Sequence, residues 1–135
     1  PANEPDIAYA YLFSHFRGEE WRTQKETRRL LDKYFTTAPD GIPGNDDTGT
    51  MSAWAVFTML GLYPDCPGEP YYTLTAPVFD RAEIDTDGGT LVIEKRGEGY
   101  IRKMTLGDKP LTKYRVGHDE LLRGGKLTFE LKNER

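Results

Sequence analysis

A chain of 135 residues, 37% hydrophobic and 30% charged, fits one ordinary domain able to bury a core, and fits equally well one piece of something larger. With 18 Lys and Arg against 22 Asp and Glu the net charge is −4, which provides no electrostatic footprint for nucleic acid and favours a sugar, a cation or another protein as partner. No apolar run approaches the roughly 20 residues of a membrane span, and the single Cys66 excludes an internal disulfide and a Cys-based zinc cage, so it reads as a structural thiol.

The chain opens on Pro1-Ala2-Asn3-Glu4-Pro5, already at a motif, without a methionine and with no basic and apolar tract behind it. That start is expected of a mature product or a fragment, with no signal peptide expected within these residues. Asn3-Glu4-Pro5-Asp6 predicts a helix start, with Asn3 able to cap, Pro5 suited to the first turn and acidic groups at the positive end of the helix dipole. Residues 7–16 are apolar on most faces and predict a helix buried among others, stopped at Gly18.

Thr23-Gln24-Lys25-Glu26 matches the capping box and predicts the start of a second helix. Its inner face is expected at Leu30, Leu31, Tyr34 and Phe35, and its outer face at Lys25, Arg28, Arg29, Asp32 and Lys33. Pro39-Asp40-Gly41 is a turn that delivers the chain into the loop Gly41-Ile42-Pro43-Gly44-Asn45-Asp46-Asp47-Thr48-Gly49-Thr50. Behind it, Met51, Ala53, Trp54, Ala55, Val56, Phe57, Met59 and Leu60 leave no polar stripe and predict a buried helix, ended by Gly61 and Pro64.

After Pro70 the apolar period changes from helical to alternating. Strands are expected at 72–74, 78–84, 90–94, 100–106, 111–115 and 126–131, separated by Asp87-Gly88-Gly89, Gly97-Glu98-Gly99, Gly107-Asp108-Lys109-Pro110 and Gly124-Gly125, with one helical turn at 118–123. The expected class is α+β, a helical segment over 1–66 followed by a segment of antiparallel β structure over 67–135. Three helices do not close a bundle around two nearly all-apolar members, so the remaining apolar surface must be covered by the sheet or by protein outside this chain.

Two oxygen-rich corners, Asn3-Glu4 and Asn45-Asp46-Asp47, each precede an apolar helix. Hard cations such as Ca²⁺ collect carboxylate and amide oxygens from such loops; the same residues also read as simple caps and a solvated turn. An EF-hand is excluded, because counting from Asn45 the twelfth residue is Val56, and from Asp85 it is Arg96, where Glu is required. Paired carboxylates also serve as acid and base in glycoside hydrolysis, although neighbours in sequence seldom straddle one bond. Ser14 and Ser52 both fall in apolar helices with no Gly-x-Ser-x-Gly elbow, no phosphate-binding loop occurs, and His15 and His118 read as structural. Trp54 reads as core, whereas Trp21 and the tyrosines could include a sugar-stacking platform.

Asn3-Glu4-Pro5-Asp6, Glu20-Trp21-Arg22-Thr23-Gln24, the run from Gly41 to Trp54 and Gly61-Leu62-Tyr63-Pro64 together resemble the C-terminal part of the calcium-dependent exo-α-mannosidases of glycoside hydrolase family 92. The resemblance continues through Gly107-Asp108-Lys109-Pro110-Leu111-Thr112 and Gly117-His118-Asp119-Glu120, and so covers essentially the whole chain. It implies the last helices of an (α/α)6 toroid followed by an antiparallel β-sheet or sandwich tail, with the N-terminal β-sandwich and the remainder of the catalytic domain as partners outside this chain. It further implies an extracytoplasmic, inverting hydrolase of terminal α-mannose on glycans, α-1,2-linked mannose being the expected substrate.

On that resemblance Asp47 is the general base, Asn45 stands where other members carry a second aspartate, and Asn3 and Glu4 belong to the Ca²⁺ site with Asp46 placed beside them. Ile7 and Ala8 stand where many members carry a histidine pair, and Pro1-Ala2 replaces the more usual Pro-Gly. The general acid is a glutamate far upstream in the family and has no match here, so this chain alone is expected to be inactive. A non-catalytic carbohydrate- or calcium-binding module, or a purely structural β-module with a helical adaptor, are the alternative readings.

Overall fold

The computed structural model describes residues 3–123 and 125–134; Pro1, Ala2, Arg135 and the Gly124 half of the expected Gly124-Gly125 turn lie outside them. Asn3 caps a first 3₁₀ turn, Glu4–Asp6, its Oδ1 accepting the Glu4 N–H at 3.1 Å. The next segment is helical as expected but winds as a 3₁₀ helix, Tyr9–His15. Within this chain it is buried on one face only, at Ala10 and Tyr11, while Tyr9, Leu12 and Phe16 are 60%, 47% and 62% exposed.

Helix α1 spans Glu20–Tyr34 and starts ahead of the expected capping box. Gly18, in the left-handed region at φ 86°, turns the chain and donates its N–H to Glu20 Oε2 at 2.8 Å, which sets the earlier start. Thr23 is therefore no cap; it lies inside the helix on a buried stripe with Gln24, Thr27 and Leu31. That stripe is held by hydrogen bonds: Gln24 Oε1 accepts the Ile101 N–H at 2.8 Å, and the Thr27 and Thr75 hydroxyls meet at 3.0 Å. The helix is rotated accordingly, so of the expected inner face Leu31 is buried, Leu30 and Phe35 are half-buried, and Tyr34 is exposed.

Helix α2 spans Thr50–Leu60 between two left-handed glycines, Gly49 at φ 89° and Gly61 at φ 88°. Met51, Trp54, Ala55 and Thr58 are buried, and Val56 faces outward. Phe35 stacks on Trp54 at 5.4 Å and Tyr11 stacks on Tyr63 at 4.8 Å, with the Tyr11 hydroxyl 2.7 Å from that of Thr58. Burial pushes the Tyr11 phenol strongly upward, so it stays neutral.

Eight strands form among the described residues: β1 Leu62–Tyr63, β2 Tyr71–Leu74, β3 Arg81–Thr86, β4 Gly89–Arg96, β5 Tyr100–Leu106, β6 Lys109–Leu111, β7 Arg115–Gly117 and β8 Gly125–Lys132, with the short helix α3, His118–Leu122, before the last. The stretch expected as one strand at 111–115 is the end of β6 and the start of β7 with three irregular residues between. The small sheet runs β1-β2-β7 and the large one β3-β4-β8-β5-β6. The ladders are antiparallel except β4 with β8, which is parallel. Leu91, Ile93, Ile101, Met104, Leu127, Phe129 and Leu131 supply the β-side core, joined by Leu62, Leu74, Val116 and Leu121. Phe57 packs against both this cluster and the aromatic cluster around Trp54, so α2 is shared between helices and sheet.

Candidate active-site corner

The loop between α1 and α2 is closed tightly at its base. Thr36 donates its N–H to Gly41 O at 2.8 Å, and a Cβ on Gly41 would fall 2.2 Å from Thr36 O, so only glycine fits there. At its other end Asp47, Thr48 and Gly49 all lie in the left-handed region, at φ 45°, 62° and 89°. Glycine takes that conformation freely; a β-branched threonine does so at a cost of roughly 1–2 kcal/mol, which the surrounding contacts must hold in place.

The two adjacent aspartates have different surroundings. Both carboxylate oxygens of Asp46 are engaged by the first turn of α2: Oδ1 accepts the Ser52 N–H and Oδ2 the Ser52 hydroxyl, each at 2.8 Å. The carboxylate thus occupies the positive end of the helix dipole. Asp47 is held through its backbone, its carbonyl accepting the Thr50 hydroxyl at 2.6 Å and the Thr50 N–H at 3.3 Å. No group among the described residues hydrogen-bonds the half-buried Asp47 carboxylate or the exposed Asn45 side chain.

The second corner meets the first. Thr50 Oγ1 lies 3.3 Å from Glu4 Oε1, joining residues 46 apart in sequence. Asn3 adjoins this contact with its amide oxygen on the Glu4 N–H. Carboxylate and amide oxygens are the donors a hard cation selects, and Ca²⁺ takes roughly six to eight of them. Among the described residues no three carboxylate, imidazole or thiolate side chains converge. In the sequence Thr50 stood only as a member of the run from Gly41 to Trp54, with no role of its own.

The histidines are bound into the framework. His15 Nε2 meets Asp65 Oδ2 at 2.6 Å, the Thr73 hydroxyl donates to Asp65 Oδ1 at 2.6 Å, and the Asp65 side chain is 1% exposed. Arg115 reaches His15 Nδ1 at 3.3 Å while lying 4.0 Å over the Tyr71 ring. His118 Nδ1 is 2.8 Å from the Tyr72 hydroxyl. Trp21 meets Tyr100 edge-on at 6.4 Å and carries Arg22 and Lys25 over its ring at 5.2 and 6.0 Å, so cations occupy a face that a sugar could have used.

Residues 1–133 match the family model of the glycosyl hydrolase family 92 catalytic domain. The chain belongs to glycosyl hydrolase family 92. An uncharacterized secreted glycosidase of Arthroderma benhamiae is 32% identical over 140 residues, covering 98% of this chain and 18% of the relative. A family 92 α-mannosidase from Bacteroides thetaiotaomicron, solved also with mannoimidazole, superposes with a TM-score of 0.91 at 28% identity, over 98% of this chain and 18% of that one. A family 92 inverting mannosidase from the same organism gives a TM-score of 0.85 at 32% identity, over 98% and 19% of the respective chains. This family 92 chain therefore spans a little under a fifth of the length of the relatives it matches.

Proposed function

We propose that the chain is the C-terminal part of the catalytic region of an inverting, calcium-dependent exo-α-mannosidase acting on mannose-terminated glycans, α-1,2-linked mannose being the expected substrate, and that it carries the general base and part of the metal site. The observation that carries this reading is the division of labour between the paired aspartates: Ser52 engages both oxygens of Asp46, while the Asp47 carboxylate has no hydrogen-bond partner among the described residues and the Asp47 backbone is joined through Thr50 to the Glu4 corner. Asp47 is thus the carboxylate available to take a proton from water. Asn45 can orient that water by hydrogen bonds but, as an amide, cannot accept its proton.

Inversion requires a second carboxyl group to protonate the leaving oxygen from the opposite side of the bond, roughly 6.5–9.5 Å from the base. We assign that acid to a glutamate outside this chain, in the remainder of the catalytic domain. Asn3 and Glu4 would contribute oxygens to Ca²⁺, with Asp46 beside them, the rest of the sphere coming from water, sugar or that remainder. Bound Ca²⁺ supplies electrostatic attraction for sugar hydroxyls that favours a distorted ring. The partners are then the preceding toroid helices and an N-terminal β-sandwich, with the helical residues 1–66 ending the toroid and residues 67–135 forming the β-rich tail. A secreted relative and the glycan substrate support an extracytoplasmic site of action.

The test is direct. In the full-length enzyme Asp47→Asn should lower turnover of an α-1,2-mannobiose by about 10²–10⁴-fold, and the 135-residue chain alone should show none. Parental turnover by Asp47→Asn would favour a binding module over a catalytic one.

A further inference from the structure

We infer that Thr50 is a positioning residue that fixes the base-bearing turn and the Glu4 carboxylate relative to one another; this rests on the reading of Asp47 and Glu4 given above. The hydroxyl of Thr50 is the one side-chain group among the described residues within hydrogen-bond distance of both corners: it lies 2.6 Å from the Asp47 carbonyl and 3.3 Å from Glu4 Oε1. Thr50 is also the first residue of α2, so whatever it holds is tied to a helix whose buried face is anchored at Met51 and Trp54.

Asp47 needs such an anchor. Its φ of 45° and the 62° of Thr48 are conformations that L-residues rarely keep unless their neighbours enforce them. The Asp47 carbonyl receives both donors of Thr50, backbone and side chain, and a hydroxyl bonded to the carbonyl three residues earlier is a contact that a threonine rotamer at a helix start supplies. With its backbone pinned, the direction of the Asp47 Cα–Cβ bond is set without any bond to the carboxylate itself, which stays open to water. On the other side, the same hydroxyl oxygen lies 3.3 Å from Glu4 Oε1; its single proton points at the nearer Asp47 carbonyl and is at most shared with Glu4, which makes no other side-chain hydrogen bond among the described residues.

Serine keeps the hydroxyl and loses only the γ-methyl; valine keeps the shape and loses the hydroxyl. In the full-length enzyme, with Ca²⁺ saturating, Thr50→Val should lower kcat about 10–100-fold while KM stays within about twofold, because a misplaced base loses rate rather than ground-state binding. Titration calorimetry of Ca²⁺ alone into the metal-stripped enzyme should show affinity about tenfold weaker in Thr50→Val, the size expected for an outer-shell partner. Thr50→Ser should recover most of both. Parental kcat and Ca²⁺ affinity in Thr50→Val would overturn the inference, as would equal losses in the valine and serine variants or losses that merely track a lowered unfolding temperature. Asp47→Asn is the reference: if it is inactive while Thr50→Val is parental, the positioning role alone fails, and if Asp47→Asn turns over at the parental rate, the base assignment fails and this inference with it.

Discussion

Ser52 is the residue that separates Asp46 from Asp47. By engaging both Asp46 oxygens it makes that carboxylate an end-cap for α2, and the chain then has to turn left-handed through Asp47 to reach the helix. Asp46→Ala should therefore destabilise the fold by about 1 kcal/mol, the usual worth of a side-chain cap, read as a lowered urea midpoint with an unchanged slope. The acidic pair, the asparagine before it and the Asn3-Glu4 corner were all legible in the sequence as oxygen-rich groups at helix starts. Which aspartate would be consumed by capping was not, because the choice depends on a serine six residues away meeting the loop in space. Thr50 was invisible for the same reason, since its second partner lies 46 residues upstream.

At the scale of elements, α2 was readable because its signals are local: an apolar run closed by Gly49 and Gly61, both left-handed in the structure. The face of α1 was not. Its buried stripe includes the polar residues Thr23, Gln24 and Thr27, and the burial of Gln24 and Thr27 is made tolerable by Ile101 on β5 and by Thr75 just past β2, both far along the chain. The single helical turn expected before the last strand is present as α3, and it carries a pH-sensitive contact. Lys109, 3.0 Å from Glu120, and the Gly117 N–H, 3.1 Å away, hold the Glu120 carboxyl below the usual glutamate range. A depressed folded-state value contributes stability above the unfolded value and loses it as pH falls through the folded one. The unfolding temperature should thus drop on acidification from the ordinary glutamate value, about 4.3, and below, and it should drop less steeply in Glu120→Gln; Lys109 and Glu120 are largely solvated, so the difference will be small and reduced by salt.

The molecule as a whole presents an apolar flank. A groove of about 830 Å³ runs between the Tyr9–His15 segment and α1, lined by Tyr9, Leu12, Phe13, Phe16, Leu30 and Tyr34 among others. The pattern of the sequence already required covering protein, and the chain accounts for only 18% of the length of an α-mannosidase that it superposes on. The isolated chain should accordingly bind a hydrophobic dye and self-associate on sizing, and Leu12→Glu with Phe16→Glu should reduce both, whereas in the full-length enzyme the same pair should lower the unfolding temperature. Equal behaviour of the isolated chain with and without the glutamates would locate the adhesive surface elsewhere. The division at residues 66 and 67 marks, in our proposal, a change of secondary structure within one packed unit, since Phe57 serves both cores.

The parallel ladder was beyond local reading, because nothing in residues 89–106 announces that β4 and β5 will be parted by a strand made later. Its consequence concerns the order in which the protein is made. Before Gly125–Lys132 leaves the ribosome, β3 with β4 and β5 with β6 can exist only as separate hairpins, which are marginal in water. Leu127, Phe129 and Leu131, the residues that fuse them, arrive last. The large sheet cannot be finished from its N-terminal side; it closes by insertion of its central strand, a slow, non-local step that falls after the earlier strands have been synthesised and that leaves two adhesive edges waiting until it happens.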